Sequence, residues 1–264
     1  MTELVARIAG VGLLGPGLKD WPSARAMLAG HTPFAPEPTI VPVAERLPPA
    51  ERRRVGRIVR LALGVGMQAT QGAGVDPTTL VSVFSSSGGD GQNCHEICQA
   101  LAQDDRQLSP TRFHNSVHNA AAGYWSIATG ATAPSNALCA FDASFASGLL
   151  EAVTLVSLDR TPVLLVAYDA EYPPPLNQKR YIADAFGVAF VLTPPIDGTS
   201  SSVRIRVAIS DRPGGALSDP QLEHLRTSIP AARSLPLLVQ LARQVPGRVG
   251  VDYLDGRSLE IEVL

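Results

Sequence analysis

The residues best placed to do chemistry lie in one run, Leu138-Cys139-Ala140-Phe141-Asp142-Ala143-Ser144. It falls where a short apolar strand gives way to a helix. The first turn of a helix carries free N–H groups and the positive end of the helix dipole, which lower the pKa of a cysteine and hold an anion. That setting suits a nucleophile. It equally suits Asp142 as a plain N-cap whose carboxylate satisfies those N–H groups. Three other patterns carry less. Gly10-Val11-Gly12-Leu13-Leu14-Gly15 has the G-x-G-x-x-G spacing of a dinucleotide-binding turn. That mechanism needs a second strand ending in an acid about 20 residues on, and Pro33, Pro36 and Pro38 occupy the stretch, so a tight strand-to-loop turn is expected instead. Cys94, His95 and Cys98 place two thiols one helical turn apart, half of a zinc site, and His31, His114, His118 and His224 offer no spacing that completes it. Cys94 and Cys98 are therefore expected to be small buried hydrophobes, with no metal. Ala143-Ser144-Phe145-Ala146-Ser147 has alanines where a serine-hydrolase elbow needs glycines, which disfavours that class.

The elements that must position these residues alternate. Strands are expected at Val5–Val11, Leu80–Phe84, Asn136–Ala140, Pro162–Tyr168 and Phe186–Leu192, and helices over 18–29, 51–72, 93–103, 119–129 and 143–158. Val163-Leu164-Leu165-Val166-Ala167 is apolar throughout, as in a strand covered on both faces. This alternation implies an α/β layered fold with a mostly parallel five-stranded sheet. The end of the chain differs. A strand is expected over 203–209, a polar, proline-broken stretch over 210–234, a short helix over 235–243, and a hairpin of 248–253 with 258–263 around Asp255-Gly256.

Composition narrows the class. The 264 residues are 45% hydrophobic and 17% charged, which supports a sizeable core. Lys+Arg number 22 against 24 Asp+Glu, so no basic face for nucleic acid or an anionic membrane is expected. Three cysteines do not make a disulfide framework. The start reads as no signal peptide, and Asp142 and Glu151 interrupt the longest apolar tract, so no membrane insertion is expected and a cytoplasmic location is.

Four stretches, in order, carry a resemblance. They are Ser85-Ser86-Ser87-Gly88-Gly89; Ser109-Pro110-Thr111-Arg112-Phe113-His114-Asn115-Ser116-Val117-His118-Asn119-Ala120-Ala121-Ala122-Gly123; Pro134 to Ala152; and Phe186-Gly187-Val188-Ala189-Phe190-Val191-Leu192. Together they resemble the β-ketoacyl synthases over roughly residues 4–210. The resemblance implies a thiolase-like fold, a dimer, and elongation of acyl chains held on a carrier protein. It also exposes departures. Counting back from Gly148-Leu149-Leu150-Glu151-Ala152 puts the family's nucleophilic cysteine at Asp142, with Cys139 three residues earlier on the preceding strand and inert. The family's second half supplies two histidines and a lysine. After Pro195 this chain has only His224, which reads as a surface residue, and its two lysines are Lys19 and Lys179.

The resemblance thus implies a synthase-like N-terminal half over 1–195 and a truncated remnant of the second half over 196–264, in one compact unit. It implies no cofactor. It points to a non-catalytic subunit similar to the chain length factors of type II polyketide systems, including the truncated forms of aryl polyene pathways. Such a subunit pairs with a full-length ketosynthase and meets the acyl carrier protein through that complex. The expected dimer face is the strand around Asn136–Cys139 and the helix 119–129, with Asn119, Ala121, Gly123, Asn136, Leu138 and Phe145. Phe113, Tyr124 and Trp125 are candidates for the wall that limits an acyl tunnel, or else ordinary core. Three alternatives stay open: a decarboxylase using Asp142, an acyltransferase using Cys139 with His114 or His118, and a homodimeric scaffold.

Overall fold

The computed structural model describes residues 4–195 and 202–264. The proposed start of the second segment, 196–201, lies outside the described residues. Eight strands form one sheet: β1 (Leu4–Leu14), β2 (Val81–Ser85), β3 (Ser135–Leu138), β4 (Val163–Asp169), β5 (Phe186–Thr193), β6 (Val203–Ser210), β7 (Gly247–Asp252) and β8 (Ser258–Val263). Their order is β3-β2-β4-β5-β1-β6-β8-β7. Only β2–β3 and β2–β4 pair in parallel; the other pairs are antiparallel. The α/β layered class holds, but the sheet is mixed and eight-stranded rather than five-stranded and mostly parallel. The reason is physical. An apolar run reveals that a strand is covered on both faces, not which way its neighbours run. Here β4 returns to β5 without a crossover helix, and a connection of that kind permits antiparallel pairing.

The helices are α1 (Trp21–Leu28), α2 (Pro49–Arg52), α3 (Arg57–Ala73), α4 (Gly91–Leu101), α5 (Pro110–His114), α6 (Ala120–Thr129), α7 (Ser144–Asp159), α8 (Pro220–Ser228) and α9 (Leu235–Arg243). One core lies between the sheet and α3 with α6. The other lies between the sheet and α7, α9, α1 and a buried 3-10 turn at Pro230–Ser234. Between them β4 and β5 are buried along almost their whole length. Among the described residues, the stretch Phe141–Asp159 is the one helix apolar and long enough to cross a membrane, yet it lies across β1, β2 and β4 as a core element.

Three local expectations need correcting. The glycine-rich motif runs along the second half of β1, and the tight turn comes only at its end, where Gly15 and Leu18 bond each other. A Cβ at Gly10 would lie 2.2 Å from the Ala69 carbonyl oxygen, and one at Gly12 only 1.9 Å from that of Val65. The glycines therefore let α3 lie directly on the strand. The helix expected over 51–72 is broken, because Gly56 is extended ahead of α3. There Arg57 donates to Asp184 Oδ1 (2.9 Å) and to the Thr39 carbonyl (3.1 Å), and also pairs with Glu171. The stretch 210–234 holds α8, whose N-terminus is capped by the Asp219 carboxylate accepting from the N–H of Gln221 and Leu222. The closing hairpin matches its expectation, with Gly256 at φ 71° and with Leu259, Ile261 and Val263 turned inward.

Because the obstacle at Gly12 is backbone, Gly12→Ala should cost about 3 kcal/mol in chemical denaturation. Gly123→Ala, on α6 with nothing within 4 Å of a new Cβ, should be neutral or stabilise by up to about 1 kcal/mol.

Candidate functional site

The parallel strands β3, β2 and β4 end side by side, the edge of an α/β sheet where ligands ordinarily bind. The last residue of β4, Asp169, is fully buried there. One carboxylate oxygen, Oδ1, accepts from the Ser87 N–H (2.8 Å), Ser87 Oγ (2.7 Å) and Ser86 Oγ (3.3 Å), while Oδ2 is buried with no hydrogen-bond partner among the described residues. Burial nevertheless pushes its pKa up to about 6, against the pull of those donors. Ser86 Oγ in turn accepts from the Gly89 N–H (3.0 Å), so the serine–glycine loop after β2 is held along its length. Tyr172 lies on that loop. A Cβ at Gly88 or Gly91 would come within 1.9 Å of its ring or hydroxyl, and burial raises its pKa.

Two of the sequence candidates reach the same loop. Cys139 sits just past β3 rather than on it, is exposed, and its Sγ donates to the Ser87 carbonyl at 3.2 Å. His118 Nε2 lies 3.1 Å from the Ser86 carbonyl. His114 is apart from them, exposed and edge-on to Tyr124 at 6.2 Å between centroids.

The entry to α7 is built by a strained turn. Phe141 has φ 52°, a left-handed conformation that costs a bulky residue about 1–2 kcal/mol. Ser144 Oγ staples it, donating to the Phe141 carbonyl (2.7 Å) and accepting from the Ala140 N–H (3.0 Å). The Arg180 guanidinium stacks over the Phe141 ring at 3.8 Å. Asp142 lies in the following 3-10 turn and does not cap α7, whose N-terminus has no side-chain cap. Instead its two oxygens are taken by two cations, Oδ1 by Arg180 and Oδ2 by Arg233 (3.1 Å). Arg233 continues to Asp252 (3.8 Å), which pairs with Arg226, which pairs with Glu223 (2.6 Å). With both oxygens engaged by guanidinium groups, this carboxylate has poor geometry for a nucleophile.

The expected dimer and tunnel residues divide. Tyr124 and Trp125 are only 1% exposed. The Tyr124 hydroxyl donates to Asn115 Oδ1 (2.9 Å), and Trp125 packs on Gly66 and beside Phe84. Ala121 is buried in the same core and Phe145 in the opposite one, 6.2 Å from Phe190 between centroids. These four face inward, which a run such as Ala120-Ala121-Ala122-Gly123-Tyr124-Trp125 cannot reveal because it is apolar on every side of the helix. Phe113 (66% exposed), Asn119, Gly123 and Asn136 face outward, with Leu138 half-buried. Ile127 was missed, though it completes a stripe with Asn119 and Gly123 at four-residue spacing. Cys94 and Cys98 are exposed rather than buried, because α4 packs through Gly91 and Asn93 instead. Among the described residues no cluster of three metal-ligating side chains occurs. His224 is exposed on α8, as expected. Asp169, Arg180 and Arg233 escaped sequence reading. The one available signal was Asp169 itself, an acid closing an all-apolar strand.

Comparison with known proteins places this architecture. The family model of the β-ketoacyl synthase N-terminal domain matches residues 21–240, and the chain belongs to that family. The fold is thiolase-like, as in three solved complexes. A chain of the ketosynthase ApeO with its chain length factor ApeC from Xenorhabdus doucetiae is 22% identical, with a TM-score of 0.73 over 98% of this chain and 99% of that one. The ishigamide ketosynthase/chain length factor matches at 13% identity and TM-score 0.71, over 98% and 99%. AntDE:AntF, a type II polyketide acyl-carrier protein with its ketosynthase bound to the hexaketide, matches at 11% and 0.74, over 100% and 99%. No curated relative matches the sequence.

Two outcomes follow. The pKa of Asp169 is higher in the folded chain (about 6) than its ordinary 3.8, so the folded state binds the extra proton and this group adds stability as pH falls from above 6 to below 4. The stability difference between wild type and Asp169→Asn should therefore grow in favour of wild type by up to about 3 kcal/mol across that window, read by urea unfolding at several pH values. Asp142→Ala, which strands two arginines in a partly exposed site, should cost about 1–2 kcal/mol and loosen the Phe141 turn, seen as faster amide exchange at 140–144.

Proposed function

We propose that this chain is a non-catalytic synthase-like subunit of the chain-length-factor type. It pairs with an active ketosynthase and shapes the space that receives the growing acyl chain in a polyketide or related pathway. The observation that carries this reading is the fate of the nucleophile position. Asp142 offers no thiol, and Arg180 and Arg233 bind its carboxylate. The one histidine after Pro195, His224, lies on the outer side of α8. The solved chains that match this one along almost their full length come from complexes of a ketosynthase with a chain length factor or a carrier protein, which supports the same assignment.

In this reading the outward stripe Asn119, Gly123 and Ile127 and the edge strand β3 meet the synthase. Phe113 is the aromatic free to line the shared space, while Tyr124 and Trp125 back it from the core. The carrier protein reaches the tunnel through the synthase. Acyl transfer through Cys139 is the second reading, because Cys139 and His118 sit on adjacent carbonyls of one loop. Against it, Cys139 Sγ and His118 Nε2 each bond a loop carbonyl and not each other. Decarboxylation through Asp142 would require its carboxylate to leave two guanidinium groups. A homodimeric scaffold is separated by native mass alone.

Incubation with acyl-carrier thioesters should leave the intact mass unchanged; a stable adduct that vanishes in Cys139→Ala would replace this reading with the acyltransferase. Co-expression with the cognate ketosynthase should give a one-to-one complex by native mass. Gly123→Asp should weaken that complex at least about tenfold, a cost of about 1.4 kcal/mol, without lowering the melting temperature. Ala121→Asp is not a fair test, since that side chain is buried.

A further inference from the structure

The sheet ends at β3, whose outer side has no strand neighbour. The carbonyls of Pro134 and Leu138 accept from the Ser82 and Ser86 N–H of β2. By alternation the backbone groups of Ser135 and Ala137 point away from β2, toward whatever covers the edge. Native proteins ordinarily blunt such an edge or cover it. Beside the edge, between β3 and α7, runs a groove of about 540 Å³ lined by Leu138, Ser147, Leu150, Glu151, Thr154 and Leu155, among others. Leu158 extends the same side of α7 and is exposed. Glu151 is the one charged residue of that lining.

Glu151 is also fixed. Asn136 Nδ2, on β3 itself, donates to Glu151 Oε1 at 2.6 Å. The register Val83↔Asn136 puts Asn136 on the α7 side of the sheet. Among the described residues no lysine or arginine lies within ion-pair distance of Glu151. The charge is therefore uncompensated within the chain and is held at one of the two edges of the sheet, β3, the other edge being β7.

Consider two copies of this chain joined edge to edge. The contact is isologous, so each residue near the two-fold axis meets its own copy. With β3 only four residues long and Ser135 and Ala137 bonding outward, antiparallel pairing of two such strands sets Asn136 directly opposite its copy or about two residues from it along the strand, at roughly 3.4 Å per residue, and one strand spacing apart across it. The two Glu151 carboxylates then face each other across the same side of the joined sheet, within roughly 6–12 Å. That is close to the Debye length of about 8 Å at physiological salt, and the apolar groove shields them less than open water would. Self-pairing is disfavoured by this repulsion. A different subunit with a cation at the facing position gains an attraction instead.

We infer that Glu151, positioned by Asn136, sets the pairing specificity of this edge: it opposes self-association through β3 and selects a synthase-like partner that presents a lysine or arginine opposite it. This rests on the reading of the chain as one member of an unlike pair and adds the residue that enforces the unlikeness. Both attractive and repulsive elements of this kind are how specific interfaces discriminate.

The test measures self-association and pairing with the cognate ketosynthase separately, by native mass and sedimentation, for wild type, Glu151→Gln and Glu151→Lys. Glu151→Gln should strengthen self-association at least about tenfold and remove its salt dependence, whereas wild-type self-association should rise as salt screens the repulsion. An equimolar mixture of wild type and Glu151→Lys should associate more tightly than either alone. Glu151→Lys should weaken synthase pairing at least about tenfold, in line with like charges placed across an interface. The inference is overturned if both variants self-associate within twofold of wild type, or if the mixed pair fails to form. Failure of wild type to bind any ketosynthase would instead count against the proposed function, and the self-association arm would still decide the role of Glu151.

Discussion

A charge buried at the end of a strand must be matched by donors, and that requirement at Asp169 organises much of this protein. A carboxylate taken out of water without partners costs several kcal/mol. Asp169 meets the demand on one oxygen, with Ser86 and Ser87 from the loop after β2 bonding Oδ1, while Oδ2 stays buried without a hydrogen-bond partner among the described residues. The end of β4 and the loop after β2 are thereby held at one point. The loop so fixed supplies the carbonyls to which Cys139 and His118 bind and the glycine surface on which Tyr172 lies. Its pKa of about 6 shows that the donors offset only part of the desolvation, so the point is held at a standing cost.

Next to this hub, a run of ion pairs holds the entry to α7. The turn into α7 keeps a strained residue, Phe141, of the kind that clusters at active sites. Yet the groups around it serve to hold the turn. Arg180 both stacks on Phe141 and pairs with Asp142, and Arg233 carries the charge on to Asp252, Arg226 and Glu223. This chain of alternating charges joins the α7 entry to α8 and to the end of β7, elements that lie on the far side of residues 196–201. This array fixes the shape of the α7 entry.

What remains for function is surface. Two features face outward, the edge strand β3 and the stripe Asn119, Gly123 and Ile127 on α6, and Phe113 is exposed as well. The small residue at Gly123 leaves space for close approach, and Asn136 with Glu151 places a single fixed charge among apolar groups. An exposed strand edge is either blunted or covered, and under the proposed function a partner covers this one.

Much of the fold was legible in local pattern. The continuous apolar runs of β4 and β5, the helical spacing of Phe145, Leu149, Val153 and Val156, and the Asp255-Gly256 turn each depend on residues close in sequence, where burial period and backbone preference act directly. The surface position of His224 was legible for the same reason. The sequence could not show strand direction, because covered strands look alike whichever way their neighbours run. It could not separate Tyr124, Trp125 and Ala121 from Gly123, because α6 is apolar or small all round and only packing against α3 and β2 decides which side is core. Nor could it pair Asp142 with Arg180 and Arg233, 38 and 91 residues away. Such partnerships belong to the tertiary structure, since electrostatic matching acts through space and leaves no period along the chain.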